Sequence, residues 1–115
     1  MTEAQIQAEF YRKAYNTYPQ IRGFLFSVPN GGHRDIREAQ VLKSTGTVPG
    51  IPDMLLVWPT FVAFEFKTAT GIISAVQENI HRKWREAGIT VHLCRSADEG
   101  LAILRSVLTN PPIAV

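Results

Sequence analysis

"IPDMLLVWPTFVAFEFKT", residues 51–68, decides the fold. Two apolar runs, "DMLLVW" and "FVAFEFK", meet around Pro59. Each has strand length and strand composition. So short a link joins antiparallel neighbours, so the stretch reads as a β-hairpin. Strand residues two apart share a face. Glu65 and Lys67 therefore project together, while Phe64 and Phe66 point to the opposite side. Asp53 opens the first strand, directly after Pro52. With a loop of Trp58 to Thr60, Val57 pairs with Phe61 and Asp53 lies opposite Glu65 on one face. A loop one residue shorter would pair Asp53 with Phe66 and turn the carboxylates apart.

Working outward, Thr2 is a candidate N-cap for a helix to about Tyr18, with Ile6, Phe10 and Ala14 at helical spacing. Pro19 ends it. "GFLFSV" (23–28) reads as a strand, and a short helix fits Arg34 to Ser44, closed by Gly46. After the hairpin, Ser74 and Gln77 match a capping box, and Val76, Ile80, Trp84 and Ala87 form one stripe of a third helix. "ITVHLC" (89–94) is another strand. Ser96 and Glu99 make a second capping box before a helix whose Leu101, Leu104 and Leu108 face inward. The third helix carries the chain from the hairpin to the last strand as a parallel crossover would. The fold class expected is a three-layer α/β domain with a small central mixed sheet flanked by helices.

Composition agrees with one globular domain over residues 1–115. Apolar residues make up 45% and charged ones 19%, and the net charge is only +2, so anion binding must come from local clusters. Cys94 is a lone thiol in an apolar run, which suits burial and a reducing intracellular compartment, the cytoplasm. No apolar run approaches the ~20 residues of a membrane span. "MTEAQIQAEF" lacks the basic and apolar regions of a signal peptide. "TNPPIAV" reads as a loose tail over 110–115. "GTVPG" lacks the Gly-Lys-Ser/Thr ending of a phosphate-binding P-loop, and His33, His81 and His92 have no zinc-ligand spacing. His81, one turn beyond Gln77, reads as an exposed helix residue. Arg82, Lys83 and Arg85 read as a solvated face.

Two carboxylates held together on a sheet repel unless a cation lies between them. Lys67 relieves this in part, and a divalent ion relieves it fully. Carboxylate oxygens suit Mg²⁺ or Mn²⁺, which keep waters and accept phosphate oxygens. Such an ion acidifies water and neutralises charge on a phosphoryl group, and the Lys67 ammonium could orient the water or stabilise the transition state. A surface salt bridge at a strand end is the plainer alternative.

The pattern "PD" at 52–53 and "EFK" at 65–67 resembles the PD-(D/E)xK nuclease superfamily. With "PNGGHR" (29–34), "LKSTGTVPGIPDMLL" (42–56) and "EFKTATGIISAVQENIHRKWREAG" (65–88), the chain from Pro29 to Gly88 resembles the VRR-NUC family, whose single-domain members occur in phages and bacteria. The resemblance implies a restriction-endonuclease-like fold and metal-dependent hydrolysis of DNA, including branched structures such as Holliday junctions, by small homodimers. It makes Asp53 and Glu65 metal ligands, adds the backbone carbonyl of Phe66, and makes Lys67 the catalytic lysine. Gln77 matches the family's glutamine on the following helix. The family also has a carboxylate on the first helix. Glu3 flanks the inward stripe, whereas Glu9 is followed by Arg12 and Lys13 and looks solvated. Glu3 is the choice, with Glu9 the alternative.

In "PNGGHR", glycines after a strand let backbone N–H groups turn toward an anion. Asn30, Gly31, Gly32, His33, Arg34 and Arg37 are thus candidates to clamp a DNA phosphate, a contact that fixes register and carries little sequence information. A solvated glycine turn is the structural alternative. A non-catalytic nucleic-acid-binding module with the same fold is the competing function, and RNA is a further possible substrate.

Overall fold

Thr2 does start the first helix. Its hydroxyl accepts the Gln5 N–H at 3.1 Å while Gln5 Oε1 accepts the Thr2 N–H at 2.8 Å, the reciprocal pairing of a capping box. In this computed structural model, which describes residues 1–29 and 35–109, α1 runs Glu3–Thr17 and buries Ile6, Phe10 and Ala14. A single 3₁₀ turn, Pro19–Ile21, redirects the chain into β1, Leu25–Ser27. Asp35 caps α2, Ile36–Ser44, none of whose residues is buried. The strands β2, Met54–Leu56, and β3, Val62–Phe66, form the hairpin. The last elements are α3, Ala75–Glu86, β4, Thr90–Cys94, and α4, Ala97–Thr109.

The four strands lie in the order β1-β2-β3-β4. The first three are antiparallel, and α3 returns the chain so that β4 runs parallel to β3. Hairpin partners are Met54–Phe64, Leu55–Ala63 and Leu56–Val62. One further step in each direction matches Asp53 with Glu65 and Val57 with Phe61, with Trp58 to Thr60 as the loop. Met54, Leu56, Val62, Phe64 and Phe66 belong to the core with Ile6, Phe10 and Leu104. The Phe10 ring sits 5.1 Å from Phe64 and 5.0 Å from Phe66, centroid to centroid. The helices α1 and α4 pack together on that side of the sheet, and α3 packs against β4. This is the expected small mixed sheet flanked by helices.

Two local expectations change. The Ser96 hydroxyl accepts the Glu99 N–H at 3.1 Å, but the Glu99 carboxylate reaches one residue further back, to the Arg95 N–H. On α3 the apolar stripe is not what is buried. Val76 is 53% exposed, and the buried residue is His81. Gln77, Ile80 and Trp84 are half-buried around it. No helix among the described residues is long and apolar enough to cross a membrane. Residues 30–34, and the 110–115 tail, lie outside the described residues.

Candidate active site

The loop before Asp53 is fixed by a close approach. Gly50 has φ +89°, and a Cβ there would lie 2.8 Å from the Val76 carbonyl oxygen in the first turn of α3. Glycine alone meets both conditions cheaply. The chain then passes buried Pro52 and delivers Asp53 to the head of β2. Asp53 Oδ2 accepts the backbone N–H of Phe66 at 2.8 Å, which pins the carboxylate to the end of β3. The Asp53 carbonyl accepts the Val28 N–H at 2.8 Å, so the end of β1 lies beside Asp53.

Glu65 points away from the phenylalanine core and is only 1% exposed. Burial pushes its carboxyl up to about 9; the Asp53 carboxyl beside it acts in the same direction, and the Lys67 ammonium opposes them. Its Oε1 makes no hydrogen bond. Lys67 continues past β3, its N–H donating to the Cys94 carbonyl at 3.0 Å. Its side chain is nearly buried, with Nζ 3.8 Å from Glu3 Oε1. Glu3 belongs to the first turn of α1, which the Thr2 cap holds in place. Glu9 is committed elsewhere: Lys13 Nζ stands 2.7 Å from its Oε1, and that partner holds the carboxyl below its ordinary range. Of the two helix-1 candidates, the geometry brings Glu3 to Lys67.

Gln77 is at the N-terminal turn of α3, and its Oε1 accepts the Ser74 N–H at 3.0 Å. In this arrangement its amide oxygen serves the capping box. Arg37 is exposed in the first turn of α2. Asn30, Gly31, Gly32, His33 and Arg34 lie outside the described residues.

His81 corrects the sequence reading. It is buried, not exposed, and its Nε2 lies 3.3 Å from Glu65 Oε1. Burial and Arg85 both lower its pKa, and the backbone of Gly50 opposes them in part. Its position one turn after Gln77 was the available signal, but a hydrophobic stripe ranks a histidine last among core candidates. Sequence reading also missed Arg95. Its Nη1 donates to the carbonyls of Thr68 at 2.7 Å, Ala69 at 3.3 Å and Gly71 at 2.7 Å, holding the loop that follows Lys67.

Among solved structures, a "VRR_NUC domain protein" superposes with a TM-score of 0.78 over 95% of this chain and 89% of that one, at 13% identity. The fold is that of a VRR_NUC domain. No protein-family model matches the chain, and neither does any curated protein. The shared fold agrees with the family resemblance read from the sequence.

Proposed function

We propose that the protein is a divalent-metal-dependent endonuclease that hydrolyses DNA phosphodiesters. One observation carries the reading: Asp53 and Glu65 meet on one face at the end of a hairpin, and Lys67, just past the same strand, approaches Glu3. The donor set fits a hard cation. Glu65 Oε1 is a buried oxygen without a hydrogen bond, and the Asp53 carboxyl beside it opposes the ionisation of Glu65. Among the described residues no three His, Cys, Asp or Glu side chains converge as a metal cage, so waters and the phosphate would have to supply most ligands of such an ion.

Asp53 and Glu65 would hold Mg²⁺ or Mn²⁺, with the Phe66 carbonyl as a further donor. Such an ion supplies an acidified water and neutralises charge on the phosphoryl group. Lys67 directs its ammonium at the phosphate oxygens as charge builds there. Glu3 holds Lys67 in that orientation. Gln77 would act only by leaving its cap. The "PNGGHR" segment and Arg37 would grip the backbone of the DNA. Branched DNA is the substrate and a homodimer the working form, since one small domain covers little of a junction. The buried thiol suits a reducing, cytoplasmic setting.

The test is cleavage of labelled four-way junction, flap and duplex DNA with Mg²⁺, Mn²⁺ or EDTA. Cutting that EDTA stops and Lys67→Ala abolishes, with DNA binding retained, is expected. Metal-independent binding without cutting of any substrate would instead make this a nucleic-acid-binding module. Cutting of RNA alone would correct the substrate, and size-exclusion chromatography with light scattering reads the oligomer.

A further inference from the structure

Glu65 and His81 are each 1% exposed, and 3.3 Å separates Glu65 Oε1 from His81 Nε2. Neither that oxygen nor either ring nitrogen has a hydrogen bond within ordinary limits, and the ring's other polar neighbour is the backbone of Gly50. Buried polar atoms in that state are costly. Leucine or phenylalanine would fill the seam between α3 and the sheet without that cost, so packing does not call for an imidazole. Its one polar neighbour on β3 is the carboxylate that the proposed reaction uses. The ring also lines a cleft of about 380 Å³ with Ile72, Ile73, Glu78, Arg85 and Leu93. That space lets the ring tilt by the few tenths of an ångström that separate 3.3 Å from a hydrogen bond of about 2.9 Å.

We infer that His81 is a positioning residue for Glu65, its Nε2–H donating to Oε1 and leaving Oε2 turned to the ion-binding face. This rests on the reading of Glu65 as an ion ligand. The imidazole then does for a carboxylate what outer partners do for metal ligands generally: it fixes the rotamer and lowers the cost of ordering it when the ion arrives. Loss of such partners typically weakens metal binding by about 10–100-fold. The role differs from that of Lys67, which faces the substrate; His81 acts only through Glu65.

The experiment is calorimetric titration of Mn²⁺ into the wild-type protein, His81→Gln and His81→Leu, with thermal melts of each. Glutamine keeps a donor, whereas leucine keeps only bulk. H81L is expected to bind Mn²⁺ at least ten-fold more weakly while melting no lower than the wild type, and H81Q to recover most of the affinity. Wild-type affinity in H81L overturns the inference, and so does H81Q binding as weakly as H81L. No Mn²⁺ binding by the wild type overturns both this inference and the metal-dependent function beneath it. A second measurement needs no variant. In ¹⁵N-histidine spectra of the Mg²⁺-loaded wild type, His81 is expected to carry a proton on Nε2, and a bare Nε2 there overturns the inference.

Discussion

Lys67 Nζ lies 3.8 Å from Glu3 Oε1, joining the end of β3 to the first turn of α1. Glu3's side chain is half-exposed, so the pair adds little stability, about 0–1 kcal/mol for pairs of this kind. Its consequence is orientation. Glu3→Gln is expected to leave the denaturation midpoint nearly unchanged and to slow DNA cleavage by about ten-fold, the size of one lost orienting contact at about 1.4 kcal/mol. Glu9→Gln, which breaks only the pair with Lys13, is expected to leave cleavage unchanged. Single-turnover kinetics on both variants check this.

Metal-free stability should fall as pH rises from 6.5 to 9. Glu65 is pushed from its ordinary 4.5 up to about 9 in the folded chain. Across that interval the folded state holds a proton that the unfolded state has released, so alkali favours unfolding. His81 and His92 are lowered by burial, so they penalise folding only on the acid side, below their ordinary 6.5. Melting temperatures taken every half pH unit in EDTA should show the decline, and Glu65→Gln should flatten it. Saturating Mg²⁺ should also flatten it if Glu65 is an ion ligand, since a bound cation would hold the carboxylate ionised.

The hairpin was legible because its information is a period of two and a loop length, both present in the letters. The loop of Trp58 to Thr60 sets the register, and the register alone brings Asp53 and Glu65 to one face. The helix caps at Thr2 and Ser74 were legible for a similar reason, since they depend on neighbours three residues away. His81 was not legible. Its burial depends on where the crossover lays α3 against Glu65, a tertiary fact with no local signature, and hydrophobic ranking points to Val76 instead. Arg95 was hidden likewise, because its partners lie 24 to 27 residues earlier in the chain.

Gly50→Ala should damage the site from outside it. A left-handed backbone costs alanine about 1–2 kcal/mol, and crowding the Val76 carbonyl adds about 1–3 kcal/mol. The loop can relieve that only by moving, and moving carries Asp53 with it. Lower stability in chemical denaturation is expected together with weaker Mn²⁺ binding. A variant that is destabilised but binds Mn²⁺ as the wild type does would separate the loop from the site.

Arg95→Lys keeps the charge, but its ammonium ends one bond short of the place where Nη1 meets the three carbonyls. With two contacts of 2.7 Å at stake, to Thr68 and Gly71, a loss of about 2–3 kcal/mol is expected. Amide exchange should localise it. The Gly71 N–H, which donates to the Thr68 carbonyl at 3.1 Å, should exchange faster in the variant, while Phe10 and Phe64 in the core keep their protection.

Cys94 is fully buried, and the apolar surroundings push its thiol up to about 12. A thiol in that state does not react until the structure opens. Because it is the chain's single sulfhydryl, the rate at which a maleimide or disulfide reagent consumes it times the opening of the β4–α4 layer directly. The molecule therefore carries an intrinsic clock for its own unfolding, readable without any engineered label.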